Sequence, residues 1–446
     1  MIAVKKAYKF RIYPNKKQQE LINKTFGCCR FVYNKYLAKR IEVYKNDKET
    51  FTYKQCSSDL TNLKKELNWL KEPDKFSLQN ALKDLDNAYK KFFKEKAGFP
   101  KFKSKKINRF SYKTNFTNGN IMYCGQYRVE PNPTVELINE GFELAKKESV
   151  DVVLAVGGGS SIDTAKVLAL TFGLEKIDWD YMFSTYTNPF KIYDKVSEKE
   201  LPLIAVSTTS GTGSQVTQAA VISRGSEKNT IFHQNCFSKE CIVDPELMLT
   251  LLDRITASTA FDAFTHAFES YINPNANDFT EIMSEKSMEL VINYLPKVME
   301  DKNNIEYRTK LAVADTLGGS SLANAGAAAP HPLSEIIGGV THIPHGEALA
   351  IVFPKFAEKF YKDNIKKFAK VARMLNQELE KVEDDEAAKT LGKEIESFLK
   401  RVGLKTKMSE FNVTKEQLEQ ITSCPVLGFL PFGKKEDLVE ILEKSY

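Results

Sequence analysis

Hydrophobic spacing divides this chain into stretches of different period. AYKFRIYP alternates apolar and polar positions, a short strand pattern that ends at Pro14. KKQQELINKTFGCCRFVYNKYLAKRIEVYK then carries apolar residues at helical spacing on a basic background. In SLQNALKDLDNAYKKFFKEK, Leu78, Leu82, Leu85, Tyr89 and Phe92 form one helical stripe. The following run, AGFPKFKSKKINRFSYKTNF, interleaves Phe99, Phe102, Phe110 and Tyr112 with Lys101, Lys103, Lys105, Lys106 and Arg109. Two readings of it stay open: rings that stack bases while cations track phosphates, or an aromatic face that is simply core.

The character changes at Tyr127. VEPNPTVELINEGFELAKKESVDVVLAVGGGSSIDTAKVLAL reads as a helix, a buried strand over Val152 to Val156, a glycine-rich turn and a second helix. LPLIAVSTTSGTGSQVTQAAVIS reads as a strand, a hydroxyl-rich loop, then a helix or strand. Beyond Asp244 the pattern is mostly helical, broken by Pro274, Pro296, Pro330, Pro332, Pro344 and Pro354. This order predicts an α/β half followed by an all-α half, with no internal repeat.

Composition adds one decisive asymmetry. Residues 1–128 hold 30 Lys and Arg against 11 Asp and Glu, a net of +19, whereas the remainder holds 34 against 47, a net of −13. The first segment suits a polyanion, so non-specific nucleic acid is its expected partner over residues 1–120; the second suits an ordinary acidic enzyme. A chain of 446 residues is too long for one core, which predicts two or three domains. No apolar run is long enough to span a bilayer, and MIAVKKAYKFRIYP lacks a secretory h-region. Seven scattered cysteines without a C-x-x-C pair argue against a zinc ribbon or disulfide framework. Free thiols in the cytoplasm, with no membrane partner, are the expectation.

Three groups of residues carry candidate chemistry. Gly157, Gly158, Gly159 and Ser160 follow an apolar strand and open a helix, where backbone N–H groups can approach a pyrophosphate; Asp163 and Lys166 lie in its first turns. Thr208, Thr209, Thr212 and Ser214 belong to a second loop of hydroxyls and glycines, again after a strand. Taken alone, each loop reads equally as a tight turn without ligand. Among only five histidines, His266 stands four residues after Asp262, so the pair shares one helical face and can chelate an ion. His331 opens a helix-like run and His345 lies in the loop IPHGEA; His342 reads as a decoy beside His345, and His233 reads as structural.

Together, VEPNPT, AVGGGSSIDTAK, STTSGTGSQVT, IVDPEL, FDAFTHAFESY and the span from Ala323 to Pro354 resemble the iron-containing, group III alcohol dehydrogenases over roughly the last seven-tenths of the chain. The resemblance implies Asp262, His266, His331 and His345 as ligands of Fe²⁺, or alternatively Zn²⁺. It implies Gly157, Gly158, Gly159, Ser160, Asp163, Thr208, Thr209, Thr212 and Ser214 as contacts of NAD or NADP, an alcohol or aldehyde substrate, and a homodimer as one assembly. MIAVKKAYKFRIYPNKKQQELINKTFGCCRFVYNKYLAKR, NWLKEPDKFSLQNALKDLDNAYKKFF and GFPKFKSKK resemble the N-terminus of the TnpB/OrfB insertion-sequence proteins. No C-x-x-C pair follows, so the nuclease of that family is not expected.

The expected organisation is a basic α+β segment over 1–122, a partial Rossmann-like dinucleotide domain over 127–245 and a helical metal-binding catalytic domain over 246–446. Three departures from the dehydrogenase family stand out. Glu335 occupies the position, four residues after His331, where many members carry a further histidine for the alcohol proton; with His331 it forms the expected catalytic pair. Gln215 replaces a common glutamate after the second loop. The family's first βαβ unit is replaced by the TnpB-like segment. An alternative therefore stands beside the enzyme: a fusion product that retains metal binding with weak or no catalysis.

Overall fold

The computed structural model describes residues 16–73, 75–95, 98–104, 133–148, 150–225, 227–430 and 432–446. The chain divides into two compact units, Met1–Gln126 and Tyr127–Tyr446. The strand expected over AYKFRIYP, and Phe110 and Tyr112, lie outside the described residues.

Unit 1 contains α1 (Lys16–Asp47), α2 (Tyr53–Glu66) and α3 (Lys75–Glu95). Val32, Tyr36 and Leu37 of α1 pack with Leu60 and Leu63 of α2 and with Leu78, Leu82 and Leu85 of α3. Thr52 starts α2 through a reciprocal capping box with Gln55. Arg40 of α1 pairs with Asp86 of α3 at 3.2 Å. The extended segment 98–104 is pinned to α1 by one amide: Asn34 Nδ2 donates to the Lys103 carbonyl at 2.9 Å, and Asn34 Oδ1 accepts the Lys103 N–H at 2.8 Å. Phe99 and Phe102 stay 46% and 55% exposed, so in the described part of this run the aromatics are not core.

Unit 2 opens with α4 (Val135–Lys147), capped by Thr134, and continues through β1 (Val153–Gly157), α5 (Gly159–Thr171), α6 (Trp179–Thr185), β2 (Leu203–Ser207), β3 (Ala219–Arg224), β4 (Glu227–Phe232) and β5 (Glu240–Val243). β1, β2 and β5 form a parallel sheet in that order, with Val153 opposite Leu203 and Ser207 opposite Val243. β3 and β4 pair antiparallel. Then come α7 (Asp253–Ile272), α8 (Asp278–Glu300), α9 (Ile305–Ala325), α10 (Pro330–Thr341), α11 (His345–Phe360), α12 (Ile365–Leu375), α13 (Asp384–Arg401), α14 (Lys415–Thr422) and α15 (Lys435–Lys444). The fold is thus a partial Rossmann-like α/β arrangement followed by helices. Its largest core surrounds α7, where Phe264 and Phe268 meet Phe353 of α11 edge to face. No helix among the described residues is long and apolar enough to cross a membrane.

One strand departs from its sequence reading. Val152–Val156 reads as buried, yet among the described strands β1 pairs only with β2, at the sheet edge. Ala155 packs with residues of α5, while Leu154 and Val156 remain 50% and 46% exposed. Apolar composition records what a strand tolerates, whereas its burial depends on whether a neighbour covers each face.

Candidate functional site

Two loops leave the carboxyl ends of neighbouring strands β1 and β2, the usual place for ligands in an open α/β sheet. Their backbones approach because glycines leave room. A Cβ on Gly158 would lie 3.1 Å from Thr209 Oγ1, and one on Gly159 would lie 2.9 Å from Thr212 Cγ2. The Thr208 N–H donates to the Gly157 carbonyl at 3.0 Å. No side chain caps α5 behind this turn, which leaves its positive end to an anion. Thr209 Oγ1 is buried without a hydrogen-bond partner. These features fit the pyrophosphate part of a dinucleotide.

Asp163 and Ser214 are engaged with each other. Ser214 Oγ donates to Asp163 Oδ1 at 2.5 Å, and Val221 N–H donates to Asp163 Oδ2 at 3.0 Å. Lys166, fully buried, donates to Thr217 Oγ1 and to the Ala219 carbonyl and stands 3.6 Å from Asp163. These side chains stitch α5 to the second loop and to β3. Burial pulls the Lys166 pKa down.

In the helical half, α7 places Asp262 and His266 on one face, α10 brings His331 in its first turn, and α11 begins at His345. His345 is therefore the first residue of a helix rather than part of a loop. The Nε2 atoms of His266, His331 and His345 lie 3.6, 3.4 and 3.6 Å from Asp262 Oδ1. Ligands about 2.1 Å from a tetrahedral ion are separated by roughly 3.4 Å, which these spacings match. One donor atom each from Asp262, His266 and His331 lies within 4.8 Å of the others. Asp262 Oδ1 and His331 Nε2 are buried without hydrogen-bond partners. These two atoms face each other among the other imidazole nitrogens with no further partner, and one carboxylate oxygen with three imidazole nitrogens at this spacing is a donor set that fits a small divalent cation.

Each imidazole is held by its other nitrogen. His266 Nδ1–H donates to the Gly211 carbonyl at 3.2 Å, and His331 Nδ1–H donates to Glu269 at 2.5 Å. Ser334 uses its only proton on the His331 carbonyl at 2.7 Å, so it must accept from His345 Nδ1–H at 3.1 Å. All three rings therefore direct Nε2 toward Asp262. Glu269 is wholly buried on α7 and also accepts the Ala328 N–H at 2.5 Å. Sequence reasoning does not reach Glu269, Ser334 or the Gly211 carbonyl. Glu269 alone left a signal, since it continues the Asp262–His266 face three residues on.

Electrostatics follow this arrangement. Burial pushes His266 down to about 4 and His345 to about 3, so both stay neutral. Burial would raise the Asp262 pKa, but the three imidazoles overcome it and hold the carboxyl at about 2. His331 is the exception: burial lowers its pKa, yet Glu269 and Asp262 on its two sides raise it to about 10. Glu335, one turn along α10, has its pKa raised by burial while Lys228 of β4 pulls it back. His342 sits in a left-handed conformation (φ 58°) after α10, and His233 is buried, caps a short turn and stacks on Tyr193.

Residues 256–446 match the C-terminal part of the Fe-containing alcohol dehydrogenase family, residues 101–245 match the iron-containing alcohol dehydrogenases, and residues 1–49 match a helix-turn-helix domain. The chain is 32% identical over 316 residues to a choline dehydrogenase of Bacillus subtilis, covering 70% of this chain and 77% of that protein. It is 31% identical over 298 residues to long-chain-alcohol dehydrogenase 1 of Geobacillus thermodenitrificans, covering 67% of this chain and 74% of that one. Among solved structures, an archaeal halo-thermophilic Red Sea brine pool alcohol dehydrogenase aligns with a TM-score of 0.64 at 32% identity, covering 71% of this chain and 82% of that one. The chain belongs to the iron-containing alcohol dehydrogenase family, with a TnpB-like segment at its N-terminus.

Proposed function

We propose that this protein is a metal-dependent alcohol dehydrogenase or aldehyde reductase, with residues 127–245 holding NAD or NADP and residues 246–446 holding Fe²⁺ or Zn²⁺. The observation that carries this reading is the convergence of three imidazole Nε2 atoms on Asp262 Oδ1 at 3.4–3.6 Å. When bound, the ion supplies Lewis-acid polarisation of a substrate oxygen and the nicotinamide supplies or accepts hydride. Asp262 provides the one anionic ligand. His266, His331 and His345 provide neutral ones, each oriented by its own hydrogen bond. Gly157 to Ser160 and Thr208 to Ser214 form the cradle for the dinucleotide.

Glu335 exchanges the alcohol proton in this reading. Burial raises its pKa, and a carboxyl moved toward neutrality is a better proton exchanger. Glu335→Gln is expected to lower kcat about 100-fold, the usual scale of general acid–base assistance, with metal content unchanged. Parallel rate and metal measurements check this. The activity itself is tested by loading the full chain with Fe²⁺ or Zn²⁺ and following oxidation of NADH or NADPH with a short aldehyde. Full metal occupancy without turnover would reject the enzyme and favour a metal-binding fusion product.

A second reading concerns unit 1. The basic segment pinned by Asn34 carries Lys101 and Lys103 beside exposed Phe99 and Phe102, an arrangement suited to phosphates and bases. Binding to single-stranded DNA is expected to weaken steeply as salt rises. A flat salt response would dismiss it.

A further inference from the structure

Besides His266, a second buried side chain ties the second loop to the helical half. Asp315 of α9 is fully buried, and its Oδ1 accepts the Gly211 N–H at 2.7 Å and the Gly213 N–H at 2.8 Å. Its Oδ2 accepts from Gln215 Nε2 at 2.7 Å. Burial raises the Asp315 pKa to about 6 in spite of these three hydrogen bonds. The loop also lies directly on the helices. A Cβ on Gly211 would come within 2.0 Å of the Thr259 carbonyl, and one on Gly213, at φ 60°, within 2.5 Å of the Gly319 Cα.

Asp315 thus grips the peptide groups on both sides of the Gly211–Thr212 peptide. The carbonyl of that middle peptide is the acceptor of His266 Nδ1–H. Thr212, on the same stretch, lies against Gly159 in the turn that opens α5. One carboxylate therefore sets the position of a loop that touches a metal ligand at one end and the phosphate-facing turn at the other. The pair also explains Gln215. A glutamate there would set a second carboxylate against Asp315 in a site closed to water, so the negative charge expected at 215 resides at 315 instead.

We propose that Asp315 is a positioning residue that couples the dinucleotide-facing loop to the ligand His266, so that metal and dinucleotide bind cooperatively. The proposal rests on the metal-centre and dinucleotide readings above. A loop ordered by one ligand is already ordered for the other, and the coupling is reciprocal. Asp315→Ala removes the grip, whereas Asp315→Asn keeps an oxygen for both glycine N–H groups and can pair with Gln215 after its amide turns over.

The test uses the full chain, stripped of metal and titrated with NADH, by fluorescence, at zero and at saturating Zn²⁺. Zinc is expected to tighten NADH binding of the wild type by about fivefold or more. Asp315→Ala should bring that factor close to one and weaken Zn²⁺ binding about 10-fold, the low end for lost support of a ligand. Asp315→Asn should retain most of the coupling. Circular dichroism reports whether each variant is folded, and where Asp315→Ala is not, loss of the coupling in folded Asp315→Asn overturns the proposal. Equal NADH affinity with and without zinc overturns the proposal, as does a coupling factor that survives in folded Asp315→Ala. Absence of zinc binding in the wild type overturns the metal centre itself, a distinct result.

Discussion

Asp262→Asn is expected to reduce metal binding on the order of 10³-fold and to abolish metal-dependent turnover. Four-ligand ions bind protein with roughly 10–16 kcal/mol, so each ligand contributes about 2.5–4 kcal/mol on average. Asp262 should exceed the average. Its Oδ1 is the atom on which all three imidazoles converge, and it supplies the only negative charge among the four. The isosteric amide keeps volume and packing on α7, so the melting temperature of metal-free protein separates loss of the site from loss of the fold. Metal content by elemental analysis is the primary readout. Stoichiometric metal in folded Asp262→Asn would mean that the ion binds elsewhere.

The helix faces of this centre were legible because local periodicity is a property of the sequence. Asp262 and His266 are four apart, and a helix must bring them together. Glu269 lies on the same face but carries little signal in the sequence, since a lone glutamate on a helix is ordinarily solvated. Its burial arises only when Ala328 and His331, about sixty residues away, close over it. The Gly211 carbonyl carries no side-chain signature at all. The start of α11 at His345 was obscured by Pro344, which reads as a loop residue and here immediately precedes a helix. β1 shows the complementary failure: its residues were apolar enough for a buried strand, but exposure was decided by the strand that does not pair with it among the described residues. Motif spacing therefore reached the four side chains that converge, while the groups that orient them depend on contacts between distant segments.

Glu269→Gln tests those supports and is expected to have the second largest effect. The carboxylate accepts from both His331 and Ala328, and an amide has only one acceptor oxygen to offer. One buried N–H loses its partner, at about 1–3 kcal/mol, and metal affinity falls about 10- to 100-fold as His331 loses its orientation. The pH response gives an independent readout. Folded metal-free protein holds the His331 pKa near 10, above its ordinary 6.5, so this group's stabilisation is complete below about pH 6.5 and disappears as pH rises toward 10. His266 and His345, depressed to about 4 and about 3, act oppositely: their contribution is complete above about pH 6.5 and is lost as pH falls through those values. Metal-free wild type should therefore be most stable near pH 6.5. Metal must displace the proton on His331 Nε2, so the rise in melting temperature on adding metal should grow between pH 6.5 and 9. Glu269→Gln removes one of the two carboxylates that raise His331, which flattens the alkaline fall in metal-free stability and leaves the acid limb in place. An unchanged alkaline limb in the folded variant would show that Glu269 does not hold the His331 proton.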